Sequence, residues 1–306
     1  MTAPGIPNDF VLSTTCFGTR LSTIEDQIFA AVAMGFRRME LGLSGSPPAM
    51  DGLVESQRET GVTIGSLIVG CRDSAHGELA CTRLGSLSSE QRERALNSVR
   101  RHLRLAEAWG CQTLVVRGSK MEDPKLVEEA KDIKARIARE GATEKLCAEA
   151  VKFVQKAQRT SHRQVEHLCR ALHTLIQEVP DVRFAIEPGL EIDDLLGFEA
   201  MGWVLDDLAR HELGYWHDVG RVHLRERLGL PSQEQWLESY ASRMKGIHLQ
   251  DAAEDEAEMP LGLGEVDFKL VRSYLPDDAE RVLELNSRHG RAEVLASVQF
   301  LVDHGF

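Results

Sequence analysis

The sequence lacks several features by which whole classes of protein are recognised. Its six cysteines are scattered without a Cys-x-x-Cys pair, which excludes a zinc ribbon and indicates thiols in a reducing compartment. It contains no Walker motif and no G-x-G-x-x-G dinucleotide motif. No uncharged run approaches ~18 residues, so we expect no membrane span. Residues 1–9 have no basic region followed by an apolar core, so we expect a cytoplasmic protein.

An excess of positive charge is also missing. The formal net charge is −12, which argues against nucleic acid as a partner. Hydrophobic residues make up 42% and charged residues 27% of the 306 residues, as in soluble globular proteins. We therefore expect one domain over residues 1–306 and a small-molecule substrate, with a homo-oligomer left open.

Eight short apolar runs alternate with helix-forming segments along the chain. Alternation of this kind predicts a parallel sheet with helices outside it, and eight repeats predict a closed (β/α)8 TIM barrel. The predicted strands are 10–15, 36–42, 62–69, 113–117, 182–187, 214–218, 244–249 and 281–285. The predicted helices outside the fourth unit are 22–33, 51–60, 88–109, 197–211, 233–242, 266–274 and 292–303.

The fourth unit is longer than the others. Residues 121–178 are charged, low in glycine and almost continuously helix-forming, with predicted breaks near Gly141 and at Thr160-Ser161. We interpret the region as the regular fourth helix preceded by a helical insertion at about 121–160. A second long connection, residues 70–87, exceeds ordinary loop lengths and suggests a functional loop.

Each of the last four predicted strands carries one metal-competent side chain near its C-terminal end. These residues follow one another at intervals of 31, 30 and 36 residues: Glu187, Asp218, His248 and Glu284. The βα loops of a TIM barrel emerge at that end and carry its catalytic groups. Three carboxylates and one imidazole suit a divalent ion such as Mn²⁺, Mg²⁺, Co²⁺ or Zn²⁺.

Each of these residues also has an ordinary explanation. Glu187 could cap a turn, Asp218 could form an Asx turn, and a lone histidine such as His248 is more often structural than a ligand. Glu284 differs, because a charge between two leucines in a buried strand needs a partner. The regular spacing of the set favours one shared metal site.

Residues 182–285 resemble the xylose isomerase-like TIM-barrel superfamily, in particular its sugar-phosphate isomerase and epimerase branch. The resemblance rests on Ala185-Ile-Glu-Pro188, Trp216-His-Asp-Val-Gly220, Gly246-Ile-His-Leu-Gln-Asp251, Leu261-Gly-Leu-Gly-Glu-Val-Asp-Phe268 and Leu283-Glu284. It implies that Glu187, Asp218, His248 and Glu284 hold one divalent ion. It further implies that Glu187 and Glu284 act as an acid/base pair, one removing a proton beside a carbonyl and the other returning it on the opposite face.

Four further residues are candidates for binding substrate: Arg117, Arg221, Gln250 and Asp251. Arg117 has a surface ion pair as an equally weighted alternative. Arg221 departs from the superfamily pattern, which usually places a histidine there. Because a guanidinium binds phosphate or carboxylate and cannot ligate a metal, Arg221 indicates either an anionic substrate or a site altered from ordinary epimerase chemistry.

Three other functions compete with a sugar isomerase or epimerase. A dehydratase or lyase would begin with the same proton abstraction. An endonuclease IV-like nuclease is disfavoured by the net charge and by the absence of histidines at residues 69–71 and 116–118. A non-catalytic binding barrel is the third alternative, raised by the helical insertion and by Arg221.

Overall fold

Eight parallel strands close into a barrel, which confirms the predicted (β/α)8 architecture. A computed structural model describes residues 6–72 and 83–306. The barrel strands are β1 (Phe10–Ser13), β2 (Arg38–Leu41), β3 (Thr63–Ile68), β4 (Thr113–Arg117), β5 (Arg183–Glu187), β6 (Gly214–Asp218), β7 (Met244–Leu249) and β10 (Glu280–Leu283). Strand β10 pairs with both β7 and β1 and so completes the ring. Two further strands, β8 (Asp251–Ala253) and β9 (Glu256–Met259), form an antiparallel hairpin after β7.

Helices surround the barrel and begin at side-chain caps in most cases. The first begins at Ile24, two residues after the predicted start at 22, and its cap Thr23 accepts the backbone N–H of Asp26. The helices of the described residues are α1 (Ile24–Met34), α2 (Leu53–Thr60), α3 (Ser89–Ala108), α4 (Pro124–Glu140), α5 (Glu144–Thr160), α6 (His162–Glu178), α7 (Phe198–Asp207), α8 (Val219–Arg227), α9 (Gln233–Tyr240), α10 (Phe268–Tyr274) and α11 (Arg291–Asp303). None of them is long and apolar enough to cross a membrane.

The long fourth unit consists of three helices, α4, α5 and α6, which are separated at Gly141 and at Ser161. Helix α6 packs against α3 and α7, in the ring around the barrel. The pair α4–α5 has a small core of its own. That core includes Phe153 and reaches Ile192 in the loop after β5 and Leu230 in the loop after α8. The helical pair therefore packs on two loops at the C-terminal end of the barrel.

The barrel interior is packed with side chains up to the site. Its apolar layer consists of Val11, Leu43, Ile68, Val115, Ala185, Trp216 and Val282. Trp216 is fully buried, and a Cβ on the neighbouring Gly246 would overlap its ring. Glycine at 246 is thus required by close approach. Side chains two residues further along several of these strands form the C-terminal mouth.

Four parts of the chain differ from the sequence prediction or lie outside the described residues. Helix α8 and the β8–β9 hairpin lie in segments where we predicted neither element. The last barrel strand ends at Leu283, so Glu284 follows the strand instead of lying inside it. Most of the predicted functional loop at 70–87 lies outside the described residues, since 73–82 are not described.

Candidate active site

The four predicted metal ligands meet at the C-terminal mouth of the barrel. Glu187 and Asp218 end β5 and β6, His248 lies one residue before the end of β7, and Glu284 directly follows β10. The Nδ1 atom of His248 lies 2.8 Å from Glu187 Oε1, 3.4 Å from Glu284 Oε2 and 3.7 Å from Asp218 Oδ2. All four side chains are buried. Parallel pairing of neighbouring strands thus brings together residues about 30 positions apart.

A fifth acidic residue, Glu40, approaches the other side of the same imidazole. The Nε2 atom of His248 lies 3.0 Å from Glu40 Oε2 and 3.2 Å from Oε1. Glu40 belongs to β2 and is fully buried. Glu40 is not among the predicted site residues, although it stands between Met39 and Leu41 in a predicted strand. A charge inside an apolar strand had singled out Glu284, and the same signal identifies Glu40.

Two arginines neutralise part of this negative charge. Arg117 Nε lies 2.5 Å from Glu187 Oε2, because Arg117 and Glu187 are register partners at the ends of β4 and β5. Arg221 spans two carboxylates, with Nη1 3.0 Å from Glu187 Oε2 and Nε 2.9 Å from Asp218 Oδ2. Both arginine side chains are only 12% exposed. Charge-assisted contacts of this kind are strong in a buried setting.

The surroundings move the pKa values of the site in opposite directions. Burial alone would raise the pKa of Glu187, but the charges of Arg117 and Arg221 hold it well below its usual range. Burial raises the pKa of Glu284 to about 8, and the nearby negative charges of Glu258 and Asp218 add to the effect. Without an added cation, burial and the neighbouring negative charges thus favour the protonated form of Glu284.

Burial would lower the pKa of His248, yet the adjacent Glu284 and Glu40 carboxylates raise it well above its ordinary value. His217, two strand positions from Tyr215, points away from the site and has its Nδ1 2.6 Å from the Tyr215 hydroxyl. His223, two residues after Arg221, has its Nε2 3.6 Å from Glu265 Oε2. His248 is thus the histidine that the described site residues surround.

The two candidates after β7 have different surroundings. Gln250 Nε2 donates to Asp218 Oδ1 at 3.1 Å and to Glu284 Oε2 at 3.2 Å, which orients two of the four predicted ligands. The Asp251 carboxylate accepts the backbone N–H groups of residues 262, 264 and 266. Asp251 thereby holds the Leu261-Gly-Leu-Gly segment against the start of β8, and both of its carboxylate oxygens accept hydrogen bonds from that loop.

The donor set fits a divalent cation. Glu187 Oε1, Asp218 Oδ2, Glu284 Oε2 and His248 Nδ1 face one another, and hard or borderline divalent ions prefer such oxygen and imidazole ligands. Asp218 Oδ2 is buried and, among the described atoms, has no partner with hydrogen-bond geometry, although Arg221 Nε is near. With the four buried carboxyl groups of the site ionised and the imidazole neutral, as metal ligation requires, the two guanidinium groups leave two negative charges uncompensated. One divalent ion balances that charge.

A cavity of about 310 Å³ adjoins the two guanidinium groups. Lys120 and Lys134 also line it, and they pair with Asp194 at 2.9 Å and Asp193 at 2.8 Å. Lys134 belongs to α4, so the α4–α5 helical pair contributes a cation to the cavity wall. A larger cavity of about 550 Å³ lies beside α3 and the start of β4 and contains none of the site residues described above. The smaller cavity is of a size suited to a small molecule.

Comparison with known proteins agrees with the barrel. A family model described as "xylose isomerase-like TIM barrel" matches residues 28–304, whereas no curated protein matches the sequence. The fold resembles 3-keto-D-glucoside 4-epimerase from E. coli, with 14% identity, coverage of 97% of this chain and 100% of that chain, and a TM-score of 0.63. It also resembles IOLI protein with a binding zinc atom, with 12% identity, coverage of 96% of this chain and 97% of that chain, and a TM-score of 0.62. A third similar structure is endonuclease IV from Thermus thermophilus, with 16% identity, coverage of 97% of this chain and 98% of that chain, and a TM-score of 0.57. At these identities the likeness establishes the fold alone.

Proposed function

Because the chain belongs to the xylose isomerase-like TIM-barrel family, we propose that it is a divalent-metal-dependent isomerase or epimerase of polyhydroxy carbonyl compounds. One observation carries the proposal. Three carboxylate oxygens surround the Nδ1 atom of one buried histidine at the catalytic end of the barrel. Glu187, Asp218, His248 and Glu284 would hold the ion, as the sequence resemblance implies. When bound, the ion polarises the substrate carbonyl and hydroxyl oxygens, so the neighbouring C–H bond becomes more acidic.

Glu187 and Glu284 would move the proton. Glu187, kept ionised by two arginines, accepts the proton from the carbon beside the carbonyl, and the C–H electron pair passes into the enediolate. The Glu284 carboxyl returns a proton to the same carbon from the opposite face in an epimerisation. In an isomerisation the proton goes to the adjacent carbon, the former carbonyl carbon, and the hydroxyl proton passes to the former carbonyl oxygen as the new carbonyl forms. Proton and electrons balance in either case. Burial of both carboxyl groups excludes water from the transfer.

The substrate would carry a carboxylate or phosphate group. Arg117 and Arg221 line the 310 Å³ cavity together with Lys120 and Lys134. Guanidinium groups recognise such anions with two parallel hydrogen bonds, whereas a neutral polyol needs no cation. A phosphorylated or acidic keto sugar could thus place its carbonyl at the ligand cluster and its anion in the cavity. Sugar phosphates are the simplest members of this class.

The proposal is tested by metal analysis and isotope exchange. Protein purified without chelator should contain about one divalent ion per chain, as expected for a site with four protein ligands. Incubation with a panel of keto sugars, their phosphates and their acids in D₂O should incorporate deuterium at a carbon beside the carbonyl. Glu284→Gln should abolish the exchange while Asp255→Asn, at an exposed hairpin position, should not change it.

Other outcomes identify other functions. A protein that contains no divalent ion and is not stabilised by one would be a binding barrel. Deuterium uptake together with a product lighter by one water would identify a dehydratase. Cleavage of abasic duplex DNA above background would identify a nuclease, on the same fold as endonuclease IV. Exchange that persists in Glu284→Gln would refute the acid/base role of that residue.

A further inference from the structure

A hydrogen-bond chain runs from the site down through the barrel interior. His248 Nε2 meets Glu40 at 3.0 Å, and Glu40 Oε2 lies 3.1 Å from Ser66 Oγ. Ser66 Oγ is 2.7 Å from Glu280 Oε1, and Arg38 Nη2 donates to Glu280 Oε2 at 2.9 Å. Glu280 begins β10 and Arg38 begins β2, so the chain ends at the N-terminal side of the barrel. The proposed mechanism uses none of its members except His248.

The Ser66 hydroxyl at the centre of this hydrogen-bond chain determines in which direction its hydrogen bonds point. Ser66 has one proton and lies between two carboxyl groups, so it can donate to only one of them. The other carboxyl group must donate to Ser66 and therefore must itself be protonated. Glu280 makes the shorter contact, 2.7 Å against 3.1 Å, and burial raises the pKa of Glu280. Its second oxygen accepts from Arg38, as the free oxygen of a carboxylic acid can.

The surrounding backbone fits this arrangement. A Cβ on Gly65 would lie 2.6 Å from Glu280 Oε1, so a larger residue at 65 would displace the carboxyl group. Glu40 and Ser66 are register partners in β2 and β3, which fixes their separation. Glu40 is then the acceptor of one hydrogen bond from Ser66 and one from His248.

An acceptor at Nε2 decides which imidazole nitrogen can bind a metal. A neutral histidine has one N–H and one lone pair. With the proton held at Nε2 by Glu40, the lone pair of His248 lies at Nδ1, which faces Glu187, Asp218 and Glu284. Outer carboxylates that accept the second N–H of a metal-bound histidine orient the ring and increase its basicity.

We propose that Glu40 is a positioning residue that fixes His248 as the Nε2–H tautomer, and that Glu280 and Ser66 set the direction of the hydrogen bonds to Glu40. The inference rests on the proposed metal site. It assigns a role to three buried polar residues outside the ligand set, and it explains why two of them are acids inside an apolar strand environment.

Two substitutions of the same size separate this role from simple packing. In Glu40→Gln the amide can either accept from or donate to Nε2, so the wrong tautomer, with its proton at Nδ1, becomes accessible. We expect the affinity for Mn²⁺ or Zn²⁺ to fall about 10- to 100-fold, as for other outer-shell partners. In Glu280→Gln the amide N–H donates to Ser66 and the amide oxygen accepts from Arg38. The direction of the hydrogen bonds to Glu40 is therefore kept, and the affinity for Mn²⁺ or Zn²⁺ should remain close to that of the wild type.

Affinity is measured by calorimetry or chelator competition, and the tautomer by ¹⁵N NMR of histidine-labelled, zinc-loaded protein. Wild type and Glu280→Gln should show the protonated nitrogen of His248 at Nε2. Equal losses of affinity in the two variants, or no loss in Glu40→Gln, would overturn the proposal while leaving the metal site intact. A wild-type protein that binds neither ion would instead overturn the proposed function, and with it this inference.

Discussion

Replacement of Arg221 by methionine tests whether its positive charge compensates the buried carboxylates at the C-terminal mouth of the barrel. The guanidinium contacts Glu187 Oε2 at 3.0 Å and Asp218 Oδ2 at 2.9 Å, and both carboxylates are fully buried. Removing one partner of a buried ion pair costs about 3–5 kcal/mol, because it leaves a buried charge without compensation. One kcal/mol corresponds to roughly 2 °C in Tm for a chain of this size or somewhat smaller. The metal-free variant should therefore unfold roughly 6–10 °C below the wild type.

Divalent metal should reverse much of this loss. A cation bound by Glu187 and Asp218 supplies positive charge beside the carboxylates that lost Arg221. Ligand at 100 times its Kd stabilises a folded protein by about 2.7 kcal/mol. We expect the Mn²⁺-induced rise in Tm to be larger in Arg221→Met than in the wild type. Thermal unfolding of both proteins, with chelator and with saturating Mn²⁺, measures the difference.

Arg227→Met is the matched control. Arg227 lies on the same helix, α8, and pairs with Glu265, but both side chains are partly exposed. Exposed ion pairs contribute about 0–1 kcal/mol, so this variant should lose little stability and keep the wild-type response to metal. If Arg221→Met loses no more than Arg227→Met, or if its response to Mn²⁺ is unchanged, the charge-balance reasoning is wrong.

Three further results are expected. Gly246→Ala should lower the stability by about 1–3 kcal/mol or more, since its Cβ overlaps the buried Trp216 ring, as measured by urea unfolding. Burial raises the pKa of Cys111 to about 12, so at pH 8 iodoacetamide should modify the half-buried Cys147 and spare Cys111, as measured by mass spectrometry. Asp251→Asn should weaken three backbone hydrogen bonds and cost about 1–3 kcal/mol, with faster proteolysis of the loop at 261–266.

Each of these expectations has its own contrary outcome. Wild-type stability of Gly246→Ala would mean that the Trp216 ring moves away at no cost. Alkylation of Cys111 as fast as of Cys147 in native protein would mean that β4 opens readily to solvent. For Asp251→Asn the control is Asp255→Asn in the exposed hairpin turn, and equal proteolysis of the two variants would assign no special role to Asp251.

The barrel could be predicted because its signals are local and repeated. β-branched strand segments such as 63–68 and glycine stop signals such as Gly35 and Gly141 mark elements without knowledge of the fold. The β8–β9 hairpin was missed because its strands are only three and four residues long and rich in acidic residues, which have low strand propensity. Helix α8 was missed because it begins immediately after β6 and contains Gly220 near its start.

The convergence of Glu187, Asp218, His248 and Glu284 could be predicted because parallel strands bring their C-terminal ends to one mouth, whatever the details of packing. The ion pairs within the site could not be predicted in the same way. The contact of Arg117 with Glu187 depends on the register of β4 and β5, and that of Glu40 with His248 crosses the barrel interior. Such contacts depend on shear and side-chain packing, which one sequence does not display.

The position of Arg221 follows from the capping of helix α8 by Asp218, which was predicted either as an Asx-turn residue or as a metal ligand. Its carboxylate Oδ1 accepts the backbone N–H of Arg221 at 2.9 Å and so caps helix α8, as an Asx-type residue would. An N-cap places the side chain three residues later back beside the cap, as in a capping box. Residue 221 is therefore brought to the site by helix geometry, whatever its type. A guanidinium at that position forms an ion pair with Asp218 and faces the cavity, where under the proposed function it would bind the anionic group of the substrate.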